Sequence, residues 1–358
     1  MADTELARVL SAIRDQWVSM TGMAAMFIAS IGFGIFIQPF YNFEELRAFG
    51  EEGTTEAGNI ILELVMIFVF TIAIIWLARK GLEVVIKGVV FLALGYSLMM
   101  AVMPILEIIF FRILGMEISV LVYFATVIGV TIAMMYTLPK FPEWYVVNTV
   151  GLLVGSGVIV MLGIAFVPVL IILFMVLAAI YDHWAVNGSK HMLELADTMI
   201  DLKLPVLLVA PKDASYSFLD QESNTMRKDK GENIDWERPL EGGPTQKKSR
   251  DALFMGLGDV IFPGMLVISS ITFLPEMGPV VFDFWGGATA PIYLGPMLVG
   301  LGTLGGGLLG YLALMTQVAR GKPQAGLPLL NGGSILGYII SGTIALGPSN
   351  LWQDISFL

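Results

Sequence analysis

The chain has 358 residues, of which 56% are hydrophobic and only 14% are charged, and its mean hydropathy is +0.79. Soluble domains carry about 25% charged residues, so this composition excludes an ordinary soluble globule. A net charge of −10 excludes binding to nucleic acid through a basic face. The absence of cysteine excludes disulfides and thiolate metal sites, and with only two histidines we expect no metal and no cofactor.

Apolar runs long enough to cross a membrane follow one another along the sequence. A transmembrane helix needs roughly 20 apolar residues, and we predict an all-α membrane protein with nine transmembrane helices. The run 145–186 would form a single helix of about 63 Å, so it is predicted to fold back between Gly163 and Pro168. The predicted spans are 17–40, 59–78, 84–109, 118–138, 145–163, 167–186, 252–274, 292–315 and 325–346.

The basic residues predict the orientation of these spans, because lysine and arginine that flank a span stay on the cytoplasmic side. Of the 20 basic residues, 18 lie on one side of the membrane, at the amino terminus and in every second connection between spans. The other two, Arg47 and Arg112, lie in connections on the opposite side. Without the ten in the long loop 187–251, the ratio is still 8 to 2. We therefore predict a cytoplasmic amino terminus and an external carboxyl terminus.

The sequence divides into three predicted parts. Residues 1–186 hold six spans, residues 187–251 form a cytoplasmic loop, and residues 252–358 hold the last three spans.

The long loop contains two patterns of regular structure. Residues 204–210 form a Val- and Leu-rich run bounded by prolines, which favours a short strand. Residues 220–250 have the composition of a flexible linker. An amphipathic helix on the membrane surface is predicted before the strand, because apolar residues recur there at helical spacing. These residues are Met192, Leu195, Met199 and Leu202.

Carboxylates inside a membrane span cost about 2.5–3.5 kcal/mol, so they are candidates for function. Glu63 and Glu107 lie near outer ends of their spans, where they can reach water. Asp182 and Asp259 lie deeper, about 7 and 12 Å below the same face by helical rise. No lysine or arginine occurs at a comparable depth in the spans. The two aspartates are therefore expected to meet, to share one proton and to titrate as a pair.

Two kinds of function use such a pair. In an aspartic protease one carboxylate activates a water and its protonated partner donates to the peptide oxygen. An ion- or proton-coupled transporter or channel would use the same acids. Gly256 and Gly258, just before Asp259, remove side chains where a helix or substrate strand could approach, which favours the protease. Tyr181 is predicted either to pack beside Asp182 or to anchor its helix at the interface.

Three motifs resemble those of the presenilin and signal peptide peptidase family of intramembrane aspartyl proteases, and their order spans nearly the whole chain. The resemblance implies the GxGD-type architecture, with Asp182 and Asp259 as the catalytic pair and a ninth span whose start helps to bind substrate. It also implies a multi-pass enzyme of the cell membrane that cleaves transmembrane segments of other membrane proteins within the bilayer. The motifs are Tyr181-Asp182, Gly256-Leu257-Gly258-Asp259 and Gln324-Ala325-Gly326-Leu327-Pro328.

The third motif departs from the family's Pro-Ala-Leu. Ala325 replaces the proline and Gly326 replaces the alanine, whereas Leu327 and the following Pro328 are retained. Small residues still allow the backbone to approach the aspartates, but the turn is expected to be less rigid. The orientation resembles the presenilin branch, whereas residues 260–264 resemble the signal peptide peptidase branch. Archaeal homologues resemble both branches, so an archaeal member is expected.

The resemblance suggests how a substrate is presented. A peptide bond in an intact helix is shielded, so the predicted strand 204–210 is a candidate to pair with an unwound substrate. The transporter or channel remains the alternative function. A serine protease is disfavoured because Gly155-Ser156-Gly157 lacks a histidine base within reach, and the His-Glu-x-x-His motif of zinc proteases is absent.

Overall fold

The structure, a computed structural model, describes residues 2–184, 207–213, 252–283, 290–318 and 326–356. Within these ranges seven α helices are long and apolar enough to cross a membrane, and two more have 17 residues each. A 17-residue helix is about 26 Å long, at the short end of what spans a bilayer. The helices are α1 (Ala2–Tyr41), α2 (Ala57–Arg79), α3 (Glu83–Glu107), α4 (Val120–Lys140), α5 (Trp144–Gly163), α6 (Pro168–Trp184), α7 (Leu257–Phe273), α8 (Leu294–Val318) and α9 (Leu327–Ala345).

Each predicted span corresponds to one helix, and the predicted reversal between α5 and α6 is present. α5 ends at Gly163 and α6 begins at Pro168, where the missing proline N–H costs nothing because it starts a helix. The seventh span is the exception. Its first residues, 252–256, form a strand and the helix begins only at Leu257, because the backbone of this segment pairs with another strand.

A two-stranded antiparallel sheet precedes α7. Strand β1 (Leu207–Pro211) pairs with β2 (Ala252–Gly256), so that Leu207 lies opposite Gly256. The predicted strand 204–210 is therefore confirmed over 207–210, and residues 204–206 lie outside the described residues. So do the predicted amphipathic helix and the predicted linker 220–250. A second pair, β3 (Val280–Phe282) with β4 (Ile292–Tyr293), lies between α7 and α8.

Helix α5 lies at the centre of the bundle, in contact with α1, α3, α7 and β1. Small residues make this possible, because a membrane helix without side chains on one face can approach its neighbour closely. A Cβ atom at Gly157 would lie 2.2 Å from the carbonyl oxygen of Ser97 on α3, and one at Gly163 would lie 2.5 Å from Ile268 on α7. Glycines of α5 therefore allow both α3 and α7 to approach it closely.

Helices α8 and α9 form the most extensive helix pair. Glycines of both helices face each other: a Cβ at Gly306 would lie 2.2 Å from the oxygen of Gly333, and one at Gly337 would lie 2.3 Å from the oxygen of Gly302. α9 also contacts α6 and α7. This packing holds the start of α9 beside the two helices that carry the aspartates.

The two ends of the bundle differ. One end holds the β1–β2 sheet, the end of α6 and the starts of α7 and α9. The other end gathers the α1–α2 and α5–α6 connections, the end of α7 and the carboxyl-terminal segment. Three contacts join them there: Val167 N–H to Thr54 O (3.1 Å), Ala57 N–H to Ser356 O (2.9 Å) and the Arg47 guanidinium over the Phe273 ring (5.1 Å).

Candidate active site

Asp182 lies two residues before the end of α6, and its side chain is only 7% exposed. Its Oδ2 accepts a hydrogen bond of 3.3 Å from the backbone N–H of Leu327. Leu327 is the first residue of α9, and the N–H groups in the first turn of a helix have no partner inside it. The carboxylate of Asp182 therefore connects the end of α6 to the beginning of α9.

Asp259 is the third residue of α7 and is half-buried. The first turn of a helix presents free N–H groups and a partial positive charge, which favour a carboxylate there. The backbone of Gly256 hydrogen-bonds the Asp259 side chain. The sequence predicts Asp259 about 12 Å, or about two turns, inside its helix. Because residues 252–256 form β2, it lies in the first turn of α7 instead.

The two aspartates meet at the start of α9, as predicted. A Cβ atom at Gly326 would lie 3.2 Å from Oδ1 of Asp259, and the next residue, Leu327, donates to Asp182. Both carboxyl groups thus lie against the same two consecutive residues. In the described part of the chain neither is paired with a lysine or arginine; the other nearby ionisable group is His183.

The remaining residues of the Gly256-Leu257-Gly258-Asp259 motif have different surroundings. Leu257 is buried and packs on α5, because a Cβ at Gly155 would lie 3.2 Å from its Cδ1. Gly258 is exposed, and a Cβ there would meet nothing within 4 Å. Within the described chain no close packing requires a glycine at position 258. Leu257 supports the site, whereas Gly258 borders open space beside Asp259.

Of the other predicted site residues, Leu327 and Pro328 lie at the same point. Leu327 is buried and Pro328 occupies the first turn of α9, where its missing N–H is tolerated. Ala325 lies outside the described residues. The Tyr181 ring is 42% exposed and lies 6.2 Å from the Trp184 ring, so it faces away from the buried side of α6.

Sequence reasoning missed Asn148, which positions the sheet that leads to Asp259. Its Nδ2 donates to the Val209 oxygen (2.7 Å), and its Oδ1 accepts from the Val209 N–H (2.8 Å). The amide of Asn148 thus bonds the backbone of Val209 as a neighbouring strand would, and Asn148 and Val209 are both buried. The signal was present, because Asn148 is a lone amide near one end of an apolar span.

A groove of about 350 Å³ opens between α6 and α9, lined by residues that follow Asp182 and Leu327 in the sequence, His183 and Pro328, and by residues further along both helices. Pro328, which follows Leu327, lines it together with Ala179 and His183 of α6. Its walls are mostly hydrocarbon, as suits contact with an apolar peptide segment.

Comparisons with known proteins identify the family and the fold. The family model described as signal-peptide peptidase, presenilin aspartyl protease matches residues 23–347. Two solved structures, each of a presenilin family intramembrane aspartate protease, share the fold. The one in space group C222 is 23% identical with a TM-score of 0.54, and the one in space group P2 is 24% identical with a TM-score of 0.53.

In each case the alignment covers 92% of this chain and 100% of the other. A comparison with curated protein sequences finds no match. The family match covers most of the chain and leaves the transporter alternative without support. The chain belongs to the signal-peptide peptidase and presenilin family, and it is a multi-pass membrane protein that works as an intramembrane aspartyl protease.

Proposed function

We propose that Asp182 and Asp259 are the catalytic pair and hydrolyse peptide bonds in transmembrane segments of membrane proteins. The observation that carries this proposal is that both carboxyl groups lie against Gly326 and Leu327 without a lysine or arginine between them in the described chain. Two such groups share one proton, because two adjacent negative charges without a cation are unfavourable.

The chemistry follows from the shared proton. The ionised carboxylate takes a proton from a water, and the water oxygen attacks the peptide carbonyl carbon. The protonated carboxyl donates to the carbonyl oxygen as it gains negative charge. The proton taken from water then passes to the leaving nitrogen as the C–N bond breaks. The proton belongs to the pair, so neither aspartate is assigned as the starting base.

The substrate must be extended before it can be cleaved, and the β1–β2 sheet lies where it could hold an extended strand. The side chain of Asn148 occupies the edge of β1 at Val209. A substrate strand that joins the sheet therefore lies beside β2, not beside β1 as the sequence suggested. β2 runs directly into the helix turn that carries Asp259, and the open space at Gly258 gives the substrate backbone access to that carboxylate.

We also propose nine transmembrane spans, with the amino terminus in the cytoplasm, the carboxyl terminus outside and the three-part division at residues 186 and 251. The contacts of Thr54 with Val167 and of Ala57 with Ser356 support this alternation. They bring together connections that nine spans would place on one side. The aspartates then lie near the cytoplasmic ends of α6 and α7.

The test is cleavage of a single-span substrate by purified enzyme in lipid vesicles. We expect Asp182→Asn and Asp259→Asn each to abolish product, because each removes one ionisable member of the pair. Glu107→Gln is the matched control, since Glu107 is another acid in a helix but lies on α3, and it should retain activity. Product release by either aspartate variant at the wild-type rate would refute the assignment.

A further inference from the structure

Asn331 is a polar residue inside the bundle whose hydrogen bonding is incomplete. It lies on α9, one turn after Leu327, and is 1% exposed. Its Nδ2 donates to the carbonyl oxygen of Met175 on α6 (3.0 Å). Its Oδ1 is buried and has no hydrogen-bond partner among the residues that the structure describes.

The side chain of Asn331, whose oxygen has no partner, belongs to the wall of the groove between α6 and α9. Asn331 lines this groove together with Met175, Ala179, Pro328 and Gly332. The bond to Met175 fixes one end of the amide and leaves the oxygen as the acceptor. Asn331 and Leu327 are four residues apart, so they lie on the same face of α9.

A buried amide oxygen without a donor is unfavourable, and an apolar side chain of the same size would avoid that cost. A transmembrane peptide that has unwound for cleavage has the complementary defect. Its backbone N–H groups have lost their helical partners and cannot be satisfied by hydrocarbon. Each of the two groups therefore supplies what the other lacks.

We propose that Oδ1 of Asn331 accepts a backbone N–H of the unwound substrate and so positions the bond to be cleaved. This inference rests on the proposed catalytic pair and adds a positioning residue to it. Asn331 lies about 6 Å along α9 from Leu327, which contacts Asp182. An extended chain covers that distance in about two residues, so the N–H is expected about two residues from the cleaved bond.

The experiment combines a variant with altered substrates. Asn331→Leu and wild-type enzyme are given a series of single-span peptides, each with one ester in place of an amide within three residues of the cleaved bond. An ester removes the N–H and keeps the chain extended. At one position we expect the ester to lower kcat/KM about tenfold for wild type and less than twofold for Asn331→Leu.

Ser334→Ala is the matched control. Ser334 is also buried on α9 with an unpartnered oxygen, but it faces Gly307 of α8 and not the groove. It should show the wild-type response to every ester. The inference is overturned if every ester affects wild type and Asn331→Leu equally, or if Asn331→Leu matches wild type on the all-amide peptide. Cleavage by an Asp182→Asn variant would instead refute the catalytic pair itself.

Discussion

Replacement of Asn148 by leucine tests whether the sheet beside the active site depends on one side chain. Leucine has the same number of side-chain heavy atoms as asparagine and the same branching at Cγ, but it offers neither donor nor acceptor. Both bonds to Val209, of 2.7 and 2.8 Å, would be lost. The N–H and C=O of Val209 would then lack partners in a place that water does not reach, because Val209 is 1% exposed.

The magnitude follows from the two orphaned groups. Leaving one buried polar group unsatisfied costs about 1–3 kcal/mol, so the loss is about 2–6 kcal/mol. We expect the cost to fall on β1 and β2 before it falls on the helices, because the lost contact holds the sheet to α5. Even the lower figure corresponds to about 30-fold in the equilibrium between the closed and the opened sheet.

The assay is amide hydrogen exchange over residues 207–211, together with the rate of substrate cleavage. Protection of these amides should fall by about 30-fold or more, and kcat/KM by about tenfold or more, since β2 leads into Asp259. Thr149→Val is the control, because Thr149 is exposed and bonds only within its own helix, to Tyr145. Unchanged protection of residues 207–211 in Asn148→Leu would show that Asn148 does not hold the sheet.

Three further predictions concern the helix packing and the carboxyl pair. Gly306→Ala should lower stability by about 1–3 kcal/mol, because its Cβ would lie 2.2 Å from the oxygen of Gly333 and the two helices must separate. Thermal unfolding in detergent measures this, and Gly305→Ala is the control, since a Cβ there meets nothing within 4 Å; equal melting temperatures for the two variants would contradict the packing. Gly326→Ala, which restores the family's residue, should cost less than threefold in kcat, because a Cβ 3.2 Å from Asp259 needs only a small shift, whereas Gly326→Val should cost about tenfold or more. Cleavage assays compare the two, and an equal loss in both would contradict a steric cause. The pH profile of kcat should be bell-shaped, because the reaction needs one proton on the pair and fails with none or with two. A rate that stays level from acid to alkaline pH would show that the pair does not act in this way.

The sequence predicted the helices well because the bilayer imposes a simple length rule. Apolar runs of the right length had to be helices, since no other open segment satisfies its backbone in hydrocarbon. The same rule was wrong at residues 252–256, which are apolar but form β2. An apolar composition does not distinguish a helix from a strand whose backbone is satisfied by a partner distant in sequence, here residues 207–211.

The proposed catalytic aspartates were also singled out from the sequence, because an acid without a cationic partner in an apolar helix is energetically costly. The same reasoning applied to amides would have singled out Asn148 and Asn331. It would not have given their roles, which depend on contacts with Val209 and Met175. Lone amides cost less than charges in a membrane span, so the sequence alone gives them less weight.

Composition and spacing by themselves determined that the protein crosses the membrane and carries two aspartates in its spans with no lysine or arginine at a comparable depth. Only the tertiary structure decided that these acids meet at Gly326 and Leu327, that Asn148 occupies the edge of β1, and that an amide oxygen without a partner lies on a residue that lines the groove between α6 and α9. The physical reason is that a membrane-spanning helix satisfies its backbone hydrogen bonds within itself, so its presence depends on the local sequence. Contacts between helices depend instead on which small residues face each other, and that is settled only when the bundle has formed.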